Sequence, residues 1–227
     1  MLTSNIKFQN FKISKFNKIN KINKFKNDKW FKEIRLLDSL KENYKYSYSK
    51  SQIKKINKSK NFRLIGMGGS TLGAEAIYQF LNHKIKKKFI FINNLNPKLK
   101  NNEKKIKATN IIISKSGNTL ETIVNSNLLI NQRKNIFITE NKKSYLKNLA
   151  TDLKAEIVDH KNYIGGRYSV LSEVGMLPAE IMGLNEKKFK RLNYLINNQN
   201  FLNELIKNVS AILKFVKEKK FNSIILN

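Results

Sequence analysis

From residue 61 onward, short apolar runs alternate with segments that are long enough to form helices. The apolar runs are residues 62–66, 89–92, 110–114, 135–139 and 155–158. Helix-length segments follow at about 72–82, 119–132 and 143–150, and each opens beside Ser, Thr or Asn, which are preferred at helix N-caps. This alternation is typical of an α/β fold in which crossover helices join parallel strands. We therefore predict an α/β fold with a parallel sheet and crossover helices.

The first 60 residues have a different pattern, which predicts an N-terminal helical arm. Apolar side chains recur there mostly three residues apart, among lysines and asparagines. They are Phe8, Phe11, Phe16, Ile19, Ile22 and Phe25, followed by Trp30, Phe31, Ile34 and Leu37. A basic amphipathic helix can lie on a membrane surface, but such a stripe more often packs on the protein's own core. We expect the second use here.

The C-terminal part of the chain is predicted to be helical until its last residues. The segments near 172–183, 186–198 and 201–220 have helical periodicity, and residues 221–227 (FNSIILN) resemble a strand. A strand with no element after it has nothing with which to complete a layer. We therefore expect that the chain is a fragment cut inside a second α/β unit.

Composition limits the classes of protein to consider. The 227 residues include no cysteine, which excludes a disulfide framework, a thiolate metal site and a cysteine nucleophile. Since 41% of the residues are hydrophobic, the chain can bury a substantial core. No window approaches the roughly 18 apolar residues of a membrane span, and the N-terminus lacks the apolar segment of a signal peptide. We expect a cytoplasmic protein.

The net charge is strongly positive, with 45 Lys and Arg against 16 Asp and Glu, or +29. A nucleic-acid-binding protein is one interpretation, because clustered lysines bind phosphate backbones. However, residues 1–60 carry +13 and the rest of the chain carries the other +16 without a concentrated stripe. Lysine supplies 40 of the 45 basic residues, as codon bias in an AT-rich genome produces. We favour compositional drift over a functional polyanion surface.

The first candidate motif is IGMGGSTLG, residues 65–73, where a predicted strand leads into a predicted helix. Glycines there permit close approach of the backbone, and free amides at a helix start attract anions. The segment is a poor dinucleotide fingerprint, because Thr71 occupies the third glycine position and the next strand ends in Asn93 and Asn94 instead of an acid. A tight turn without a ligand remains an alternative.

The second motif is SKSGNTLET, residues 114–122, which also lies between a strand and a helix. Its hydroxyls and amides are within reach of one phosphate at the helix N-terminus. The hydroxyls belong to Ser114, Ser116 and Thr119, and the amides to Lys115, Ser116 and Gly117. This pattern predicts a phosphate cradle of a non-Walker kind.

Ordinary helix capping is the alternative interpretation of the same motif. Asn118 or Thr119 would accept from the first helical amides, and Glu121 or Thr122 would complete a capping box. Capping accounts for one hydroxyl and not for three, so we favour the cradle.

The third motif is GGRYS, residues 165–169, in which two glycines stand beside one of only five arginines. In a chain rich in lysine, a retained guanidinium indicates a planar, charge-stabilising role at Arg167. A salt bridge on a surface loop is the alternative.

Taken together, GMGGSTLG, SKSGNTLET and GGRYSVLSEVGMLP resemble the glucose-6-phosphate isomerase family, in the family's order, over residues 61–227. The middle motif alone indicates only a sugar isomerase (SIS) domain, a class that includes aminosugar enzymes and phosphosugar-sensing regulators. The last motif is the more specific one. The resemblance implies SIS-type, flavodoxin-like subdomains, each with a doubly wound parallel sheet. The expected organisation is a helical arm at 1–60, a first SIS subdomain at 61–183, and linking helices with the first strand of a second subdomain at 184–227.

The resemblance also implies roles for individual residues. The substrate phosphate would lie on the hydroxyls of Ser114, Ser116 and Thr119 and on the backbone amide of Lys115. Gly69 and Ser70 would border the sugar, and Arg167, beside Gly166, would lie at the reacting carbons.

In the family a glutamate moves a proton between C2 and C1 of the opened sugar through a cis-enediolate, while the arginine stabilises the developing oxyanion. The implied substrates are glucose 6-phosphate and fructose 6-phosphate, in glycolysis and gluconeogenesis. No metal or organic cofactor is implied, and the full-length enzyme is expected to be a homodimer.

This sequence departs from the family pattern in one respect. The family's base glutamate, ring-opening histidine and C-terminal lysine all lie beyond the position that matches Asn227. His83 is expected to be solvated and His160 to pack in a loop, while Glu173 and Glu180 are expected to form local charge pairs. We therefore expect this piece to bind a phosphosugar weakly without turnover. The alternative is a non-catalytic SIS module that senses a phosphosugar.

Overall fold

Five parallel strands form the centre of the protein. The computed structural model describes residues 34–96, 106–130, 134–191, 194 and 198–218. The strands are β1 (Asn61–Gly66), β2 (Lys88–Ile92), β3 (Thr109–Ile113), β4 (Asn135–Thr139) and β5 (Glu156–Asp159). All five coincide with the predicted apolar runs to within one residue at each end, which confirms the predicted parallel sheet.

Helices occupy the connections and both ends of the described chain. They are α1 (Lys50–Ile56), α2 (Leu72–Leu81), α3 (Leu120–Leu129), α4 (Tyr145–Asp152), α5 (Glu173–Ile181), α6 (Glu186–Phe189) and α7 (Gln199–Lys217). Short 3-10 turns lie at Arg35–Leu40, Gly68–Ser70, Asn82–Lys84 and Gly166–Tyr168. The helices predicted at 72–82, 119–132 and 143–150 correspond to α2, α3 and α4.

The strand order is β2-β1-β3-β4-β5, and every neighbouring pair is parallel. This is the flavodoxin-like order of a doubly wound sheet, so the predicted fold class is confirmed. The order reverses between β1 and β3, where Gly66 is the register partner of Ile113. Ligands of such sheets bind outside the carboxyl ends of the strands at this switch point.

Apolar side chains cover both faces of the sheet. All five residues of β3 and all five of β4 are buried, because crossover helices enclose both faces of a parallel sheet. One face packs Phe62, Leu64, Ile111 and Ile113 against α1, α2 and α5. The other packs Ile65, Ile112 and Phe137 against Leu129 and Leu146. The carboxyl edge is therefore held on a rigid support.

The chain divides into two compact units. One comprises residues 35–190 and contains the whole sheet, and the other comprises residues 1–34 and 191–227. Residues 35–60, which the sequence places in a helical N-terminal arm, are only partly helical: Arg35–Leu40 is a 3-10 turn, residues 41–49 contain no helix, and α1 spans Lys50–Ile56. This segment packs in the same unit as the sheet, where Ile53 and Ile56 of α1 are buried in the core. No helix within the described residues has the length and apolar character needed to cross a membrane.

The helix predicted at 186–198 is not one continuous helix, because α6 ends at Phe189, Lys190 and Arg191 form a turn, and Tyr194 is again helical. The chain leaves the helix at Lys190, whose Nζ donates to the backbone oxygen of Lys41 at 2.9 Å. The same ammonium lies 5.0 Å and 4.9 Å from the ring centroids of Tyr44 and Tyr46.

The predicted helices at 172–183 and 201–220 are confirmed as α5 and α7. The arm before residue 34 and the strand at 221–227 lie outside the described residues.

Candidate functional site

The three motifs follow three strands and lie at the carboxyl edge of the sheet. IGMGGSTLG leaves β1 through the 3-10 turn at Gly68–Ser70, and SKSGNTLET leaves β3. GGRYS follows β5 and forms the 3-10 turn at Gly166–Tyr168. The first two loops start side by side, since a Cβ added at Gly66 would lie 2.8 Å from the backbone oxygen of Ile113.

The three predicted phosphate-binding hydroxyls meet at the start of α3. Ser114 Oγ lies 2.9 Å from Thr119 Oγ1, and Ser116 Oγ lies 3.5 Å from the same atom. Ser114 is buried, whereas Ser116 is exposed. The structure therefore brings Ser114, Ser116 and Thr119 into one cluster whose outer side is open to solvent.

Helix capping does not account for this cluster. Thr119 is the N-cap of α3, but its side chain makes no capping hydrogen bond. The Asn118 Oδ1 accepts from the backbone amide of Tyr145 at 2.9 Å and so serves the neighbouring helix. Among the described residues, the backbone amides of Lys115 and Ser116 have no protein acceptor. These amides and the positive end of the helix dipole can bind an anion.

Gly117 is required by the shape of this loop. Its φ is +68°, which is the left-handed region that favours glycine. A Cβ there would lie 2.1 Å from Ser144 Oγ and 2.9 Å from Thr139 Oγ1, so the loop is packed tightly on the segment after β4. The backbone oxygen of Gly117 also accepts from Leu146 at 3.0 Å. These contacts hold the hydroxyl cluster in place.

The first and third motifs touch directly. A Cβ added at Gly69 would lie 2.3 Å from the backbone oxygen of Gly166 and 3.0 Å from the amide of Arg167. Ser169 Oγ donates to the backbone oxygen of Gly166 at 2.6 Å and lies 3.4 Å from that of Gly69. Ser70 follows Gly69 in the same turn. The structure therefore brings Gly69, Ser70, Gly166 and Arg167 together.

Arg167 is exposed, and its guanidinium has no hydrogen bond or ion pair within the described part of the chain. The alternative interpretation, a salt bridge on a surface loop, is therefore not what these residues form. Together with Gly69 and Gly166, Arg167 borders an open groove of about 710 Å³ between α2 and the GGRYS loop. The rest of this groove is mainly apolar and includes Leu72 and Phe80.

The side chain of Lys115 points away from the hydroxyl cluster. Its Nζ donates to the backbone oxygen of Asn162 at 2.7 Å and lies 3.7 Å from Glu140 Oε1. Glu140 is also paired with Lys142 at 2.5 Å. The ammonium thus contacts the loop between β5 and GGRYS, whereas the backbone amide of the same residue remains beside the hydroxyl cluster.

Glu173 and Glu180 do not form the local pairs that the sequence predicts. Glu173 is fully buried and accepts from Tyr44 Oη at 2.9 Å and from the backbone amide of Ser47 at 2.9 Å. Glu180 accepts from Tyr48 Oη at 2.7 Å and from Lys50 Nζ at 2.6 Å. These partners lie more than 120 residues away, so both carboxylates fasten the segment at 44–50 onto α5.

The electrostatics of this attachment agree with its geometry. Burial and the carboxylate of Glu173 raise the pKa of Tyr44 well above its usual range. Burial and the hydrogen bond to Glu180 do the same to the pKa of Tyr48. The hydrogen bond to Glu180 also raises the pKa of Lys50. The two phenols therefore remain protonated donors, as buried carboxylates require.

The histidines are placed as the sequence predicts. His83 is exposed in the turn after α2. His160 is buried in the loop after β5, where its Nδ1 lies 3.1 Å from the backbone oxygen of Lys161. Burial lowers the pKa of His160 below its ordinary value. Within the described ranges, no group of three or more His, Asp or Glu side chains could hold a metal ion.

No sequence pattern identifies the residues that support these loops. Glu140 and Asn162 meet Lys115 across 25 and 47 positions, and Ser144 packs on Gly117 across 27. These contacts depend on the order of the strands and not on local periodicity. Ser144 is recognisable only as the N-cap of α4.

Comparison with known proteins agrees with these motifs. Residues 37–222 match the family model described as phosphoglucose isomerase. A glucose-6-phosphate isomerase of Borrelia garinii subsp. bavariensis is 37% identical, with 58% of this chain and 29% of that protein covered. A glucose-6-phosphate isomerase of Methanocaldococcus jannaschii is 31% identical, with 78% of this chain and 51% of that protein covered. The chain thus spans about half or less of the length of these relatives.

A solved structure supports the fold independently. The hypothetical protein TT0462 from Thermus thermophilus superposes with a TM-score of 0.55 at 23% identity, covering 68% of this chain and 41% of that one. The family model covers most of the chain, and it includes all three motifs at the carboxyl edge of the sheet. The chain therefore belongs to the phosphoglucose isomerase family.

Proposed function

We propose that this chain is part of a glucose-6-phosphate isomerase, which interconverts glucose 6-phosphate and fructose 6-phosphate. The chain supplies the phosphate-binding part of the active site and its arginine. The observation that carries the proposal is the cluster of three hydroxyls and open amides at the start of α3, adjoining the turn after β1 that contacts the Arg167 loop.

The cradle suits a phosphate monoester better than a neutral sugar. Two phosphate oxygens can accept from Ser116 and Thr119 and from the amides of Lys115 and Ser116 without displacing a protein hydrogen bond to those amides. The N-terminus of α3 adds a favourable field for a dianion. Gly69 and Ser70 then border the carbon chain of the bound sugar.

Arg167 supplies the charge-stabilising group. Negative charge develops on the C1 and C2 oxygens as a proton moves between these carbons through a cis-enediolate. A guanidinium with no other ion pair among the described residues is available to that charge. We assign the base and the ring-opening residue to parts of the isomerase other than the described residues. We also assign a partner subunit to the complete enzyme. A homodimeric, cytoplasmic enzyme of glycolysis and gluconeogenesis is part of this proposal.

Calorimetry with the 227-residue chain tests the phosphate cradle. We expect fructose 6-phosphate to bind and unphosphorylated fructose not to bind. Thr119→Val should lower the affinities for fructose 6-phosphate and for inorganic phosphate equally, by about tenfold, because a hydrogen bond to a charged group is lost. Thr151→Val, on the exposed side of α4, is the matched control. Equal binding of the unphosphorylated sugar would contradict the proposal.

Arg167→Ala separates an isomerase from a phosphosugar sensor. A phosphorylated sugar hydroxamate carries a planar anion that mimics the enediolate, and an enzyme binds such an analogue more tightly than its substrate. In an isomerase the substitution should lower the affinity for the hydroxamate by a factor at least ten times larger than the factor by which it lowers the affinity for fructose 6-phosphate. Equal losses for the two ligands would favour a non-catalytic sensing module.

A further inference from the structure

Lys115 belongs to two parts of the site at once. Its backbone amide lies in the phosphate cradle, between Ser114 and Ser116, and has no acceptor among the described residues. Its ammonium lies at the other end of the side chain, on the backbone oxygen of Asn162 at 2.7 Å. Asn162 stands three residues before Gly165, where the GGRYS motif begins.

The loop at 160–165 makes four contacts that hold it in place. The backbone amide of His160 donates to Thr139 at 2.9 Å, and Ile164 is fully buried in the core. The guanidinium of Arg35 lies 3.8 Å from the centroid of the Tyr163 ring. Among the described residues, the hydrogen bond from Lys115 to Asn162 is the contact that links this loop directly to the cradle. Lys115 therefore links the cradle directly to the segment that leads into the Arg167 loop, in addition to the contact of that loop with Gly69.

The ammonium is also electrostatically satisfied where it is. The Glu140 carboxylate lies 3.7 Å from the ammonium, and the side chain of Glu140 is only 11% exposed. Turning Lys115 toward a bound phosphate would leave the Asn162 oxygen without this donor and would move the cation away from a mostly buried carboxylate. The first change loses a hydrogen bond from a charged donor, and the second separates an ion pair, although Glu140 keeps its pair with Lys142.

We propose that Lys115 is a positioning residue, whose side chain sets the separation between the phosphate cradle and the Arg167 loop and does not itself bind the phosphate. The inference rests on the proposed function of the site. A phosphosugar has a fixed span between its phosphate and its first two carbons, so this separation decides whether both ends bind together. Misplacement by about 1 Å is enough to cost a large factor in rate.

Lys115→Met tests the proposal, because it keeps the backbone amide and removes the ammonium. We expect the affinity for fructose 6-phosphate to fall about tenfold, as for loss of a charge-assisted hydrogen bond, while inorganic phosphate binds within about twofold of the unsubstituted chain. Lys115→Arg should restore most of the loss. Lys142→Met, which also removes a cation from Glu140, is the control and should change neither affinity.

Hydrogen exchange gives a readout that needs no ligand. In Lys115→Met, the hydrogen-bonded amides of His160, Ile164 and Tyr168 should exchange about tenfold faster, while those of β3 and β4 stay protected. Lys115→Gln, which is too short to reach Asn162, should give the same result and serves if the Met variant does not fold. Unchanged exchange at these three amides, or equal losses of phosphate and fructose 6-phosphate affinity, would overturn the proposal. If the unsubstituted chain binds no phosphosugar, the proposed function fails, and the exchange experiment still decides the role of Lys115.

Discussion

At Gly69 there is no room for a side chain, because the backbone of Gly166 lies where a Cβ would be placed. Gly69→Ala should therefore push apart the turn after β1 and the GGRYS loop. We expect the free energy of unfolding to fall by about 1–3 kcal/mol, as in other overpacked sites. Urea denaturation measures the change.

Gly166→Ala is the matched control for this prediction. A Cβ at Gly166 meets no atom within 4 Å, and its φ is not positive. Its free energy of unfolding should stay within about 0.5 kcal/mol of the unsubstituted chain. Similar losses in both variants would contradict the close contact at Gly69.

His160 makes stability depend on pH. Burial lowers its pKa below the ordinary 6.5, so the unfolded chain binds a proton more readily than the folded chain. The stability contributed by the neutral imidazole is therefore present above about pH 6.5 and is lost as the pH falls below it. We expect His160→Gln to lose less stability than the unsubstituted chain between pH 7 and pH 5.

At the scale of elements, α3 carries a polar stripe on its buried side. Where α3 packs against β1 and β3, it buries three polar side chains that are each at most 1% exposed: Thr122, Asn125 and Ser126. Within the described residues, Thr122 Oγ1, Asn125 Oδ1 and Ser126 Oγ have no hydrogen-bond partner. Such atoms destabilise a fold, because they lose water without gaining a replacement.

Ser126→Ala should therefore stabilise the chain, by about 1 kcal/mol in urea denaturation. Ser172→Ala provides the contrast, because the Ser172 hydroxyl donates to Ser169 at 2.7 Å and caps α5 through Val174. That variant should lose about 1 kcal/mol. Destabilisation by Ser126→Ala would indicate that the hydroxyl has a partner, such as a buried water.

At the scale of the whole molecule, the boundary of the folding unit lies before residue 61. The strap formed by residues 44–50 donates to Glu173 and Glu180 of α5, and both carboxylates are buried. A chain of residues 35–190 should unfold cooperatively, because it retains the sheet and these donors. A chain of residues 61–190 should unfold at a lower temperature or not fold, since it leaves two buried carboxylates without their tyrosine donors. Calorimetry of the two fragments tests this, and equal stability would contradict a structural role for the strap.

The local patterns identified much of the fold. The five apolar runs predicted five strands, because strands covered on both faces need continuous apolar sequence. Ser, Thr and Asn residues predicted the helix starts, and Thr119 and Ser144 are indeed N-caps. The end of α6 at Phe189 was not predictable in this way, because Lys190 leaves the helix to contact Lys41, 149 positions earlier.

What the sequence alone determined is the five parallel strands, the helices that connect them and the chemistry at the strand ends. That chemistry is a hydroxyl-rich loop after β3 and an arginine beside two glycines after β5. These properties depend on residue type and on neighbours within one turn or strand. Only the tertiary structure decided which distant groups meet, such as Gly69 with Gly166, Glu173 with Tyr44, and the Lys115 ammonium with Asn162. Strand order sets those contacts, and it is the outcome of packing all elements together.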